Sequence, residues 1–128
     1  MNTIFIEISP GELVDRTTIL RLKSAHIVDP VKHAVVRAEL ARHEDLLNTL
    51  TPHAGLWSLM DRLRMINSQL WQIEEALRDC ESCQDFGPKF VALARAVYQT
   101  NDERSATKRE IDQLLGSAIS EVKSFGRP

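Results

Sequence analysis

Asn101, Arg104 and Lys108 follow one another in steps of three and four, the spacing that lines side chains along one face of a helix. The same stepping joins them to Phe90, Ala94 and Val97 on one side and to Ile111 and Leu115 on the other. Three polar or cationic groups thus interrupt a row that its apolar members mark as inward. An unpaired arginine or lysine is too costly to bury, so these groups must reach solvent, meet carboxylates or line a cavity.

A cavity lined this way would recognise anions. An arginine fork and a lysine charge hold a phosphate or carboxylate, and amides and apolar groups beside them take the rest of the ligand. Counting about the turn at 85–88 places Arg104 level with Asn67, and Asn101 level with Leu70 and Trp71. The candidate ligand-binding set is therefore Asn67, Trp71, Glu74, Asn101, Arg104 and Lys108. The same residues also fit a polar layer that fixes helix register, with Glu74 or Glu75 neutralising Arg104 or Lys108 and Asn101 bonded to Asn67. Charge favours either meeting: Leu56 to Asp85 carries three basic and six acidic residues, whereas the chain from Phe86 onward carries seven basic and five acidic ones.

Glu12, Asp15 and Lys23 form a secondary candidate set, sharing neighbouring helical turns with Arg16, Ile19 and Leu22. A solvated network of pairs four residues apart explains such a face. If the first helix lies across the hairpin, Glu12 and Asp15 bring carboxylates to the cations instead. No catalytic residue can be assigned. Gly-rich phosphate loops, G-x-S-x-G, H-E-x-x-H, and the E-E-x-x-E then E-x-x-D pattern of all-α nucleotide pyrophosphatases are missing from the sequence, although Glu74-Glu75 begins the last.

Cys80 and Cys83 form a lone C-x-x-C at the end of a predicted helix, where the dipole does not lower a thiol pKa, and no second pair completes a zinc set. His26, His33, His43 and His53 lack metal-ligand spacing and suit surface or helix-end roles. The sequence predicts neither a metal site nor a cofactor.

Four helices must position these groups. Ser9-Pro10-Gly11-Glu12 reads as a helix start, with serine as N-cap, proline at the first position, glutamate closing a capping box, and Ile8 and Leu13 as a staple. That helix runs to Asp29-Pro30, which opens a second ending near Thr51-Pro52. The second has two apolar sides, Val31, Val35 and Ala38 against Val36, Leu40, Leu47 and Leu50, and is expected to touch two neighbours. From Gly55 a third helix carries a heptad seam of Leu56, Leu59, Leu63, Ile66, Leu70, Ile73, Leu77 and Cys80, which suits an intramolecular bundle and also a coiled-coil dimer. The Asp85 to Pro88 turn folds a fourth helix back on the third, continuous through Asn101 and stopping at Gly116. Thr3 to Ile8 and Glu121 to Phe125 are candidate short strands that would pair as a ribbon.

The 128 residues match one helical domain spanning 1–128, and 43% apolar with 27% charged residues is globular composition. A net charge of −2 gives no positive field for nucleic acid. No stretch approaches the roughly 20 apolar residues of a membrane span, and the opening residues lack a basic leader, so a cytoplasmic location is expected.

The motifs above resemble a family of small bacterial all-helical proteins, a domain of unknown function, patterned S-P-G-E-L-x-D, T-I-L-x-x-K, L-W-x-I-E, D-F-G-P-x-F, L-A-R-x-V-Y, T-N-D-x-R and K-R-E-I. Here these are Ser9 to Asp15, Thr18 to Lys23, Leu70 to Glu74, Asp85 to Phe90, Leu93 to Tyr98, Thr100 to Arg104 and Lys108 to Ile111. Arg16 stands where that pattern has lysine. The resemblance implies an all-helical fold and a setting in bacterial surface-polysaccharide metabolism, and assigns no reaction.

The expected fold is all-α, an antiparallel bundle of four principal helices with short terminal arms. The expected function is a non-enzymatic helical accessory or ligand-binding protein, self-associating as a dimer, that recognises an anionic small molecule. The alternative is a small helical enzyme acting on a phosphorylated or carboxylated metabolite such as a sugar nucleotide, with Arg104 and Lys108 orienting the anion and Glu74 as general acid or base.

Overall fold

Ser9, Asp29 and Gly87 each precede a proline, and each such pair opens a helix. In the computed structural model, which describes residues 2–50 and 52–119, α1 spans Pro10–His26, α2 Pro30–Leu47, α3 Ala54–Ser82 and α4 Pro88–Leu114. Proline at a first helical position has no N–H to leave unsatisfied. The Ser9 hydroxyl accepts the Glu12 N–H at 3.1 Å, and the Asp29 carboxylate accepts that of Val31 at 3.0 Å. The fold is all-α, and no strand occurs among the described residues.

Ends less visible in the sequence have local causes. His53 opens α3, its Nδ1 accepting the Gly55 N–H at 3.0 Å, a cap outside the usual serine, threonine, aspartate and asparagine set. α2 stops at Leu47, short of Thr51, because the Thr49 N–H and hydroxyl both bond the Leu46 carbonyl and turn the chain. α4 runs unbroken through Asn101. α3 and α4 close alike: Asp85 N–H reaches back to the Cys80 carbonyl at 2.8 Å and Ser117 N–H to that of Asp112 at 2.9 Å, around left-handed residues Gln84 (φ 53°) and Gly116 (φ 63°).

α1 packs against α2, α3 and α4, while the α2 backbone approaches no helix but α1. Arg62 near the start of α3 pairs with Glu110 near the end of α4, and Leu77 and Glu81 near the end of α3 share a hollow with Phe90 and Ala94 of α4. The core gathers where the first half of α3 meets the last turns of α4. Val14, Leu63 and Ile111 are fully buried there with Leu56, surrounded by Leu47, Leu50, Leu59, Met60, Leu114 and Leu115. The seventeen residues of α1 reach about 25 Å against about 43 Å for the twenty-nine of α3, so α1 covers only part of the hairpin.

Of the two apolar sides of α2, Val36 is buried, whereas Val31 and Val35 are 73% and 62% exposed. α2 is held to α1 by the Arg21–Glu44 ion pair at 3.2 Å and a hydrogen bond from the His33 ring to the Ser24 carbonyl at 3.0 Å. Residues 3–8 form no strand, and Ile4, Phe5 and Ile6 stand exposed. The partner segment expected for them, Glu121 to Phe125, lies outside the described residues. Both cysteines are free thiols, Cys80 buried and Cys83 exposed. No helix among the described residues is long and apolar enough to cross a membrane.

The left-handed Gln84 sets a test. A non-glycine residue there carries a steric penalty that glycine avoids, so Gln84→Gly should stabilise the fold by about 0.5–1 kcal/mol in urea unfolding. An unchanged or lowered midpoint would show that Gln84 is not strained.

Candidate functional site

Gly11 lets the start of α1 press against α4. A Cβ there would sit 2.8 Å from Asp112 Oδ1 and 2.9 Å from the Lys108 carbonyl carbon, inside any tolerable contact. The Gly11 N–H donates to Asp112 Oδ1 at 2.7 Å. Asp112 is 1% exposed and places its carboxylate at the positive end of the α1 dipole. With Ser9 this satisfies two N–H groups that the first turn of a helix otherwise leaves open.

The next turn of α1 supplies two carboxylates. Glu12 lies 2.5 Å from Lys108 Nζ and 2.8 Å from Arg16 Nε. Its carboxylate is thus turned to α4 and to the next turn of its own helix, away from the reciprocal capping bond expected of it. Asp15, 1% exposed, accepts Arg104 Nε–H at 2.9 Å on one oxygen and Nη2–H at 2.5 Å on the other. The first oxygen also accepts an Asn67 amide N–H at 3.0 Å, and Lys108 Nζ stands 4.0 Å from the second. Asn67 gives its other N–H to the Thr18 hydroxyl at 2.7 Å, which itself donates to the Asp15 carbonyl at 2.7 Å. Thr17 and Thr107, also buried, bond back to the carbonyls of Leu13 and Glu103. A charge this deep is tolerable because it is paired and hydrogen-bonded.

The counter-ions for Arg104 and Lys108 therefore come from α1. The meeting anticipated with Glu74 or Glu75 across the hairpin is replaced by pairs with Asp15 and Glu12, which reach the α3–α4 seam because α1 lies over it. The Asn67 amide likewise turns to Asp15 and Thr18, and Asn101 Oδ1 stands 3.5 Å from Arg104 Nη1.

Beside this junction opens a cleft of about 530 Å³ between α1, α3 and α4. Asn67, Trp71, Glu74, Asn101 and Arg104 line it together, with Ile19 and Leu22 from α1 and Leu70, Glu75 and Arg78 from α3. The Trp71 indole N–H donates to Glu75 at 2.8 Å, and its ring stacks on His26 with centroids 4.6 Å apart and planes 20° from parallel. Glu74 is exposed. Lys108 is buried at 6% and is not among the lining residues; Lys23 is exposed in the last turn of α1 and also lies off the lining. Among the described residues no group of three or more His, Cys, Asp or Glu side chains is placed to hold a metal ion.

Asp112, Thr18 and Arg78 escaped sequence reasoning, which read Gly11 only as a helix-start residue and His26 only as a surface or helix-end one. Asp112 stands four residues after Lys108 and Thr18 three after Asp15, so each shares a helix face with a residue already singled out, and that spacing could have found them. Nothing local marks Gly11 as a packing glycine rather than a helix-start residue.

Burial acts to raise the Glu12 pKa, but the bonds from Lys108 and Arg16 outweigh it and hold the carboxyl below its ordinary 4.5. Glu12 therefore contributes stability above pH 4.5, and loses it as pH falls through its lower folded-state value. Glu12→Gln should be less stable than wild type at about pH 6, with the gap closing as pH falls below 4.5. Asp15→Asn should cost far more at neutral pH, about 3–5 kcal/mol in urea unfolding, because it strips the buried partner from Arg104 and leaves an amide N–H against either the Arg104 guanidinium or the Asn67 amide. Equal, small losses for both variants would show that Asp15 does not hold the junction.

Comparison with curated proteins and with solved structures gives no match. A family model matches residues 4–128, a span that takes in all four helices, the α1–α4 junction and the cleft beside it, and the chain therefore belongs to the family of unknown function DUF6165.

Proposed function

We propose that this chain is a non-enzymatic helical accessory protein that binds a small anionic molecule in the cleft between α1, α3 and α4, working in the cytoplasm as a self-associated antiparallel bundle. The observation that carries this reading is Arg104. Asp15 grips its guanidinium through Nε and Nη2, and the same side chain, with Asn101 beside it, lines the cleft. A guanidinium already locked in place loses little conformational freedom when it meets an anion, which is the main cost for a long side chain. Ile19, Leu22 and Leu70 supply the apolar wall that small-molecule sites pair with a few polar groups. Lys108 is engaged with Glu12 away from the lining, so the anion site rests on Arg104 and Asn101.

Sodium sulfate and sodium acetate are the first probes. Titrated into ¹⁵N-labelled protein, either should shift the Arg104 and Asn101 side-chain resonances saturably, and Arg104→Lys, which keeps a charge facing Asp15, should weaken the response at least severalfold. Shifts scattered over surface lysines and unchanged in Arg104→Lys would reject the cleft as an anion site.

Self-association is supported by α2, whose Val31 and Val35, with Val28 in the connection just before it, are exposed, and whose backbone approaches only α1. Isologous dimers are the commonest way of covering such a face. Sedimentation equilibrium at tens of micromolar should give twice the 14.5 kDa chain mass, and Val31→Lys with Val35→Glu should return it to 14.5 kDa. A wild-type species of 14.5 kDa alone would reject the dimer.

A further inference from the structure

Trp71 narrows what the cleft takes. Its indole is held from two directions, by the stack on His26 and by the hydrogen bond to Glu75, and Trp71 lines the cleft. Offset stacking on such a preformed plane favours flat aromatic partners over puckered ones of the same size. Arg104 is bound to the carboxylate that also holds Asn67, which places it level with Asn67, one helical turn before Trp71 on α3. Asn67 and Trp71 are thus about 6 Å apart along the α3 axis, a step that one ring with an attached acid group spans. Glu74 and Glu75 balance Arg78 and Arg104 on the same lining, which leaves no surplus of positive charge for a second or third negative charge.

We infer that the cleft takes a monoanion bearing a planar ring, with the ring laid on Trp71 and the acid group at Arg104 and Asn101. The assignment rests on the anion site proposed above and adds the ring and the charge limit.

The test uses the full ¹⁵N-labelled chain and follows the indole N–H signal of Trp71, with that of Trp57, 72% exposed and outside this lining, as the internal control. The probes are 1-naphthoate, cyclohexanecarboxylate, 1-naphthalenemethanol, 1-naphthyl phosphate and acetate. Naphthoate should move the Trp71 signal saturably and bind about tenfold more tightly than cyclohexanecarboxylate. It should also bind more tightly than the neutral alcohol and the dianionic phosphate, and Trp71→Leu should erase the preference for the flat ring while acetate still shifts Arg104. Equal binding of naphthoate and cyclohexanecarboxylate would overturn the ring assignment and leave the anion site standing. Equal or tighter binding of the alcohol or the phosphate would overturn the monoanion assignment. Silence of every probe at about 20 mM, weaker than any working site, or equal shifts at Trp57 and Trp71, would overturn the inference and the anion site together.

Discussion

The carboxylate of Asp15 is the point on which the rest of the arrangement depends. It is sealed from water and joined at once to Arg104 of α4 and Asn67 of α3, so a single side chain ties three helices. Removing a charge from water is justified only if its lone pairs are filled, and here both oxygens are occupied. The geometry of α1 follows from this. Its first turn must come close enough for Gly11 to touch α4, and its later turns then form the Ile19 and Leu22 wall of the cleft.

The junction is also selective about orientation. Two cations on successive turns of α4 meet two acids on successive turns of α1, Glu12 with Lys108 and Asp15 with Arg104. Sliding either helix by one turn would leave an acid or a base facing apolar neighbours. The polar interruption of the α4 seam thus sets the register of α1 on α4, in place of the α3–α4 layer expected from the sequence, and its Asn101 and Arg104 also line the cleft. Arg104 stands at both places, with Nε and Nη2 on Asp15, Nη1 3.5 Å from Asn101 Oδ1, and its side chain on the lining of the cleft.

Local signals were legible and long-range partners were not. Ser9-Pro10, Asp29-Pro30, Gly87-Pro88 and Gly116 announce helix ends through chemistry confined to a few residues, and the structure keeps them. The α3 seam reads correctly at Leu56, Leu63, Ile66 and Cys80, all buried. Counting about the turn set Asn67, Trp71, Asn101 and Arg104 on one cleft because a short turn fixes the register of the helices that flank it. The same counting could not see α1, which joins the hairpin from 89 residues away in sequence at Asp15 and Arg104. Glu74 or Glu75 was the acid expected for Arg104 or Lys108, and Asp15 and Glu12 are the partners in space. The end of α2 and the cap at His53 were missed for a different reason: both use weak, common side-chain bonds that sequence alone does not single out.

That long separation has a consequence for how the chain is made. Gly11 waits for Asp112, 101 residues later, before its amide has its partner. At a ribosomal pace of roughly 5–20 residues per second, α1 spends on the order of five to twenty seconds with Val14 and the Asp15 carboxylate still in water. During that interval α2 is the neighbour already made, whereas the α3–α4 hairpin, built from contacts close in sequence, assembles as soon as it emerges. Closure of the fold is thus a late docking of the oldest helix onto the youngest, and the cleft exists only from that moment.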